Sequence, residues 1–518
     1  MSDKVSRSGP TSNQSGVKMI RDVLIVAIVL AGGFYWYYNK TENSKAANKT
    51  AAEAKNLLLR DNPADYAEAE AKLREVLEKY DSSHGYSIAA LAELEAILWG
   101  ENHLSERKAA AEEFVAKAMK ANPGIAEQYA AKALLMTFDG DAAGAEAFLR
   151  TEVIEKGGGG PRILAAFGQA QRAQGKLEDA RRAFKLAIDA DWRNARFAQL
   201  IGESYLEEGD GANALAYFQK GLAANSDHYG CQLGAARARL MRNEQIKEAT
   251  DAIERALKAT DLTPALKARA LVAQAELRLY EQKVDEAIAS ATEAAQADPA
   301  FAWAYAVKAR ALALKGDAQA VADFDKAIAA DEWVAAFYFD AAVALASTGD
   351  SDRAVTYLDK YPLKKDDQYY LKYGHVLRAL GKLDEAIAKY DKAIEENQTN
   401  ADAYLAKGSI LVAQGASESA AAEKQKKFEE AQKVLETALI AREFNPPVHV
   451  QIAEIHFQKK EWADGLQAYA KALTQWRTQK MPREELTAKI EEVKQRLLAA
   501  RERNYAQVWE SEATNLIR

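Results

Sequence analysis

One short turn recurs along this chain: a glycine, a polar residue, and an alanine five positions after the glycine. GKLEDA ends at Ala180, GDGANA at Ala214, GDSDRA at Ala354 and GKLDEA at Ala386. With that alanine as anchor, equivalent small residues fall at Ala69, Ala111, Ala145, Ala180, Ala214, Ala249, Ala287, Ala320, Ala354, Ala386, Ala431 and Gly465. Six of the eleven intervals are 34 or 35 residues, which chance does not produce, so the chain is built from a repeated unit.

The positions around the anchor say what the unit is. Four residues on comes a bulky apolar side chain, as at Leu73, Val115, Leu149, Phe184, Phe218, Ile253, Phe324, Leu358, Tyr390, Leu435 and Tyr469. Seven on, a small residue returns, as at Ala187, Gly221, Ala256, Ala294, Ala327, Ala393, Ala438 and Ala472. Offsets of four and seven share one face of an α-helix. A second helix upstream carries its own small residue at Gly168, Gly202, Gly374 and Gly408, so two helices can approach closely while the large side chain plugs the gap. Pro123 and Pro299 stand where the unit must end.

This pattern resembles the tetratricopeptide repeat, a helix-turn-helix unit of 34 residues. The resemblance runs from about residue 63 to 480 and is weakest at Ala69, at Gly465 and at Ala354, where Tyr361 replaces the second small residue. It implies an all-α, right-handed superhelical solenoid of about 11–12 repeats, with a concave groove lined by the first helix of each pair. Composition agrees. The 107 alanines favour close-packed helices, and 28 glycines with 10 prolines in 518 residues leave only short connections.

From Val23 to Tyr38 sixteen residues carry no charge. Extended back to Met19, the run approaches the roughly 30 Å of hydrocarbon that a helix crosses at about 1.5 Å per residue. Lys18 and Arg21 flank its start, and Phe34, Tyr35, Trp36, Tyr37 and Tyr38 form an aromatic belt at its end. The small residues Ala31, Gly32 and Gly33 also fit a cleavage site, but cleavage there would leave five aromatics at a new amino terminus. The run is therefore expected to be an uncleaved span. Its nearest basic residues point to a cytoplasmic amino terminus and a translocated body.

The expected organisation is a disordered polar tail over 1–17, a transmembrane helix over 18–38, a spacer over 39–50, the solenoid over 51–482 with an insertion near 416–427, and a capping helix and tail over 483–518. The insertion of 11 residues is close to three helical turns, so it lengthens a helix without rotating its packing face. Leu486, Ile490, Val493 and Leu497 mark the capping helix.

Signals for chemistry are few. The run from Gly157 to Gly160 is followed by Pro161 and Arg162 rather than the Lys and Ser or Thr of a phosphate loop. His449 and His456 lack carboxylates at ligand spacing, and the lone Cys231 lacks the setting of a nucleophile. No catalytic residue, metal or cofactor is expected. A net charge of -7 without a basic run speaks against a nucleic-acid partner. Projected onto a groove, Arg162, Gln169, Arg172, Arg196, Gln199, Arg269, Arg310 and Arg378 fall on the inner positions, and the Arg162, Arg172 and Arg196 region is expected to bind an acidic or extended polypeptide.

These readings combine into a non-enzymatic, membrane-anchored scaffold for other proteins or extended peptides. By its general resemblance to bacterial inner-membrane repeat proteins with a periplasmic body, it would serve a cell-envelope complex and take no small-molecule substrate. The alternative is a receptor for polypeptide clients whose repeats face the cytosol.

Overall fold

The structure, a computed structural model, describes residues 13–121 and 124–517. Every regular element among them is helical. Pro123 and positions 1–12 of the expected tail lie outside the described residues. The chain divides into two units, one formed by the residues up to Ala311 with Asp325–Val334, the other by Leu312–Phe324 with Ala335 onward.

The first unit begins with a helix of 46 residues, Asn13–Leu58. Its apolar stretch is open on every side, from Ile25 at 52% exposed to Phe34 at 72%. Farther along, Ala47, Ala51, Ala54 and Leu58 recur on one face and are buried against Tyr66, Ala69, Leu73 and Val76 of the following segment. Two expectations are corrected here. Residues 13–17 are helical rather than disordered, and the spacer over 39–50 does not exist as a separate linker. The alanines of that stretch give the helix a docking face, so it continues without a break from the apolar segment into the repeats.

Beyond it, antiparallel helix pairs follow one another. Pro161–Arg172 packs on Leu177–Ala190, Ala195–Glu208 on Gly211–Ala224, Tyr229–Arg242 on Ile246–Lys258, and Pro264–Tyr280 on Val284–Ala297. The recurring turn has a mechanical cause. Gly209 closes the first helix of its pair at φ 81°, a left-handed conformation that a side chain resists, and Asp210 then accepts a hydrogen bond from the Asn213 amide at 3.0 Å to start the second. Anchor and plug are buried: Ala180, Phe184 and Ala187 are each fully covered, and a Cβ on Gly168 would stand 2.5 Å from Phe184.

In the second unit Ala335–Ser347 pairs with Ser351–Asp359, Asp367–Ala379 with Leu383–Glu396, Ala401–Ser417 with Ala421–Ala441, and Pro446–Gln458 with Trp462–Thr478. The inserted residues sit at the turn of the third pair, whose second helix runs to 21 residues. At the carboxyl terminus Arg483–Ala499 buries Leu486, Ile490, Val493 and Leu497. The stretch expected as a tail is a further helix, Arg503–Leu516. Ala506, Trp509 and Ala513 bury one face of it, and Trp509 Nε1 donates to the Ile490 carbonyl at 3.0 Å, so this end too closes with a packed pair.

Candidate functional site

The inner face of the first unit encloses a cavity of about 310 Å³. Successive first helices present it with Gln169 and Arg172, then Gln199, Glu203 and Glu207, then Arg237, then Arg269. Trp303 adds an aromatic wall over which the Arg237 guanidinium stacks at 4.1 Å.

Groups far apart in sequence meet across this face. His103 Nδ1 lies 2.6 Å from Asp298 Oδ2, Thr263 Oγ1 donates to Asn102 Oδ1 at 3.0 Å, and Arg172 Nη2 donates to Asp331 Oδ2 at 2.9 Å. Nearby, His228 Nε2 donates to Asp61 Oδ2 at 2.8 Å, while its Nδ1 accepts the Cys231 backbone N–H at 3.0 Å. That tautomer is the one both contacts require. The expectation of a long open groove is therefore corrected for this unit. Turns separated by 159 to 195 residues are stitched together, and what remains is a cavity.

The arginines proposed for an acidic partner are already matched from within. Arg162 Nη1 donates to Glu93 at 2.6 Å and faces Glu127, and Arg196, buried, donates through Nε to Glu101 at 2.9 Å. Arg172 grips Glu207 and Asp331, and Arg269 pairs with Glu203, which also accepts from Gln199. Burial disfavours the Glu101 carboxylate, yet Arg196 and the Gln169 amide hold it below the usual carboxylate range. Burial likewise opposes the charge on Arg172, and Glu207 and Asp331 outweigh it.

Six carboxylates line the cavity (Asp61, Glu101, Glu203, Glu207, Asp298, Asp331) against three guanidiniums (Arg172, Arg237, Arg269). Partners outside that count complete the pairing, Arg196 on Glu101, His228 on Asp61 and His103 on Asp298, so the arginines expected to meet an acidic segment meet carboxylates of this chain. Of the eight positions, Gln169, Arg172, Gln199 and Arg269 share the cavity. Arg162 and Arg196 lie in the packed wall behind it, Arg310 is half-buried on the Ala302–Leu314 helix, and Arg378 belongs to the second unit, exposed beside Tyr390.

Two other groups are explained by packing. Cys231 is buried with its thiol directed at the Ala195 carbonyl, 3.7 Å away. His456, Glu461 and Asp464 have metal-compatible spacing, but they sit at an exposed turn where His456 Nδ1 and Glu461 already pair at 2.7 Å.

Against known families, a tetratricopeptide repeat profile matches residues 165–229 and 420–479, and a second profile described as a TPR repeat matches 374–415. The matched segments are the helix pairs with the glycine-opposed plugs. These stretches of the chain are tetratricopeptide repeats. No curated protein sequence matches it. Among solved structures, the chain is similar to a human IFIT1 dimer with m7Gppp-AAAA, at 16% identity over 74% of this chain and 89% of that one, TM-score 0.42. It is also similar to yeast Tom70, at 15% identity over 83% and 92%, TM-score 0.39. The APC/C hetero-tetramer Cut9-Hcn1 aligns at 15% identity over 83% and 93%, TM-score 0.35. At these values the likeness does not extend to function.

Proposed function

We propose that this chain is a non-enzymatic scaffold that holds partner polypeptides at a membrane surface, with its repeats on the translocated side. The observation that carries the reading is the continuity of the first helix. Its 46 residues span about 70 Å, of which the exposed apolar stretch accounts for roughly 30 Å, and the part that follows carries the docked face of Ala47, Ala51, Ala54 and Leu58. A helix of this kind is a rigid mount, so it fixes the height of the repeats above the bilayer and raises the local concentration of whatever they bind.

Lys18 and Arg21 at the start of the apolar stretch support a cytoplasmic amino terminus. At its end Lys40 reaches back over Trp36, 4.9 Å from the ring centre, as a snorkelling lysine does at an interface. On this reading the body stands in the extracytoplasmic compartment, the periplasm in a bacterium, as part of a cell-envelope complex. The test is a pair of carboxyl-terminal fusions, one to an enzyme active only after translocation and one active only in the cytosol, combined with alkaline extraction of membranes. The reading expects activity of the first fusion and retention in the membrane. Activity of the second places the repeats in the cytosol, and release of a shortened chain shows that the apolar stretch is removed.

A further inference from the structure

The repeat that departs from the pattern carries a separate surface. In the second unit the helix Ser351–Asp359 has nine residues, whereas its counterpart Leu383–Glu396 has 14. Tyr361 stands where the second small residue should, and Pro362 forbids another turn. The missing turn is replaced by aromatic rings. Tyr361 lies 4.9 Å from Tyr369 and 5.3 Å from Phe339, and Tyr369 Oη donates to the Leu358 carbonyl at 3.0 Å, capping the truncated helix.

Beside the shortened helix the next pair gathers three lysines, each over a different tyrosine of the helix Asp367–Ala379: Lys389 at 4.0 Å from the Tyr373 ring centre, Lys365 at 5.3 Å from Tyr369, and Lys392 at 5.6 Å from Tyr370. Lys365 and Lys392 are exposed and Lys389 half-buried. In a chain where most buried cations are matched by carboxylates, none of these three makes an ion pair with a described residue. The packed rings, then Lys392 and Lys365, lower the affinity of Lys389 for its proton, with Asp359 and Glu385 acting against them. Asp359 and Glu385 offset part of this repulsion without closing an ion pair, and an anionic guest would offset the rest.

We propose that the Lys365, Lys389 and Lys392 cluster is a docking surface for an acidic, extended polypeptide segment. The proposal rests on the scaffold reading and supplies the chemistry of one partner. A polypeptide fits better than a nucleic acid because Tyr369 and Tyr373 are 2% and 5% exposed and Lys392 lies over the half-buried Tyr370, which leaves little ring surface for a base to stack on. Carboxylates, by contrast, need only the exposed ammonium tips.

The test uses the full chain in nanodiscs of neutral lipid and a fluorescein-labelled polyglutamate peptide, read by anisotropy at low ionic strength. Binding is expected, weakening with added salt and falling about tenfold in Lys389→Glu/Lys392→Glu. Because Lys389 also covers Tyr373, the exposed pair Lys365→Gln/Lys392→Gln is measured alongside. It is expected to lose about threefold in affinity with no change in thermal midpoint. Absence of polyglutamate binding, affinity unchanged in both variants, or tighter binding of an oligothymidine would each overturn the proposal. A crosslinked polypeptide bound elsewhere on the repeats, with polyglutamate unbound, would remove the lysine cluster as a site and leave the scaffold reading standing.

Discussion

Gly168 and Phe184 occupy one packing space between two helices: the phenyl ring fills the hollow that the absent side chain leaves, with Cε1 2.5 Å from where a Cβ would be. Gly374 and Tyr390 repeat the relationship in the second unit at 2.4 Å. Gly168→Ala must therefore separate the pair or displace the ring, at a cost of about 1–3 kcal/mol. Denaturant melts should show that loss, and Phe184→Leu in the same chain should recover part of it. Additive losses would contradict the shared space.

Glu146 gives the first unit a definite response to acid. Burial would raise its pKa, but hydrogen bonds from Lys176, Gln174, Arg150 and Gln171 outweigh it and lower the carboxyl to about 2. Its folded pKa thus lies below the unfolded value of about 4.3, so the folded state binds fewer protons between the two. The resulting stability, on the order of 2–3 kcal/mol, is present above the unfolded pKa and is lost as pH falls toward about 2. Glu146→Gln should flatten the stability of this unit between pH 5 and pH 2. A mutant that keeps the parental slope would refute the assignment.

Arg196 and Glu101 form a buried pair, and removing one partner leaves the other charged and unmatched. Arg196→Ala should cost about 3–5 kcal/mol. Limited proteolysis should then cut the first unit at lower denaturant while the second is unaffected. A neutral result would mean that the arginine is free for a partner after all.

The repeats were legible because their contacts are local. Gly168, Ala180, Phe184 and Ala187 lie within twenty residues of one another, and helical geometry alone places them face to face. The inner face was not legible in the same way. Arg172 meets Asp331 and His103 meets Asp298 only because of how successive pairs rotate, a quantity no single repeat encodes. The arginines looked available because their carboxylate partners sit on other repeats. The helix over 39–50 has a weak signal in the sequence, Ala47, Ala51 and Ala54 at helical spacing, and Trp509 with Ala513 marks the last helix in the same manner. Tyr361 was recognised as irregular, but its consequence, a truncated helix with lysines beside it, needed the fold.

The first helix also makes a mechanical prediction. Replacing Glu42 and Asn43 by a flexible glycine-serine stretch should unlock the repeats from the span without unfolding them, because neither residue belongs to the docked face of Ala47, Ala51 and Ala54. Fluorescence anisotropy of a label in the first unit should fall in nanodiscs, with the thermal midpoint unchanged. An anisotropy equal to the parent would mean that the natural connection is already loose.

The most direct measurement is amide hydrogen exchange across residues 19–58 of the full chain in nanodiscs and in detergent-free fragments lacking lipid. One continuous helix serving as both span and first repeat element predicts slow exchange through 39–50 in both samples, with protection of 19–38 that depends on the bilayer. Rapid exchange through 39–50, or a mature chain that no longer contains 19–38, would contradict it.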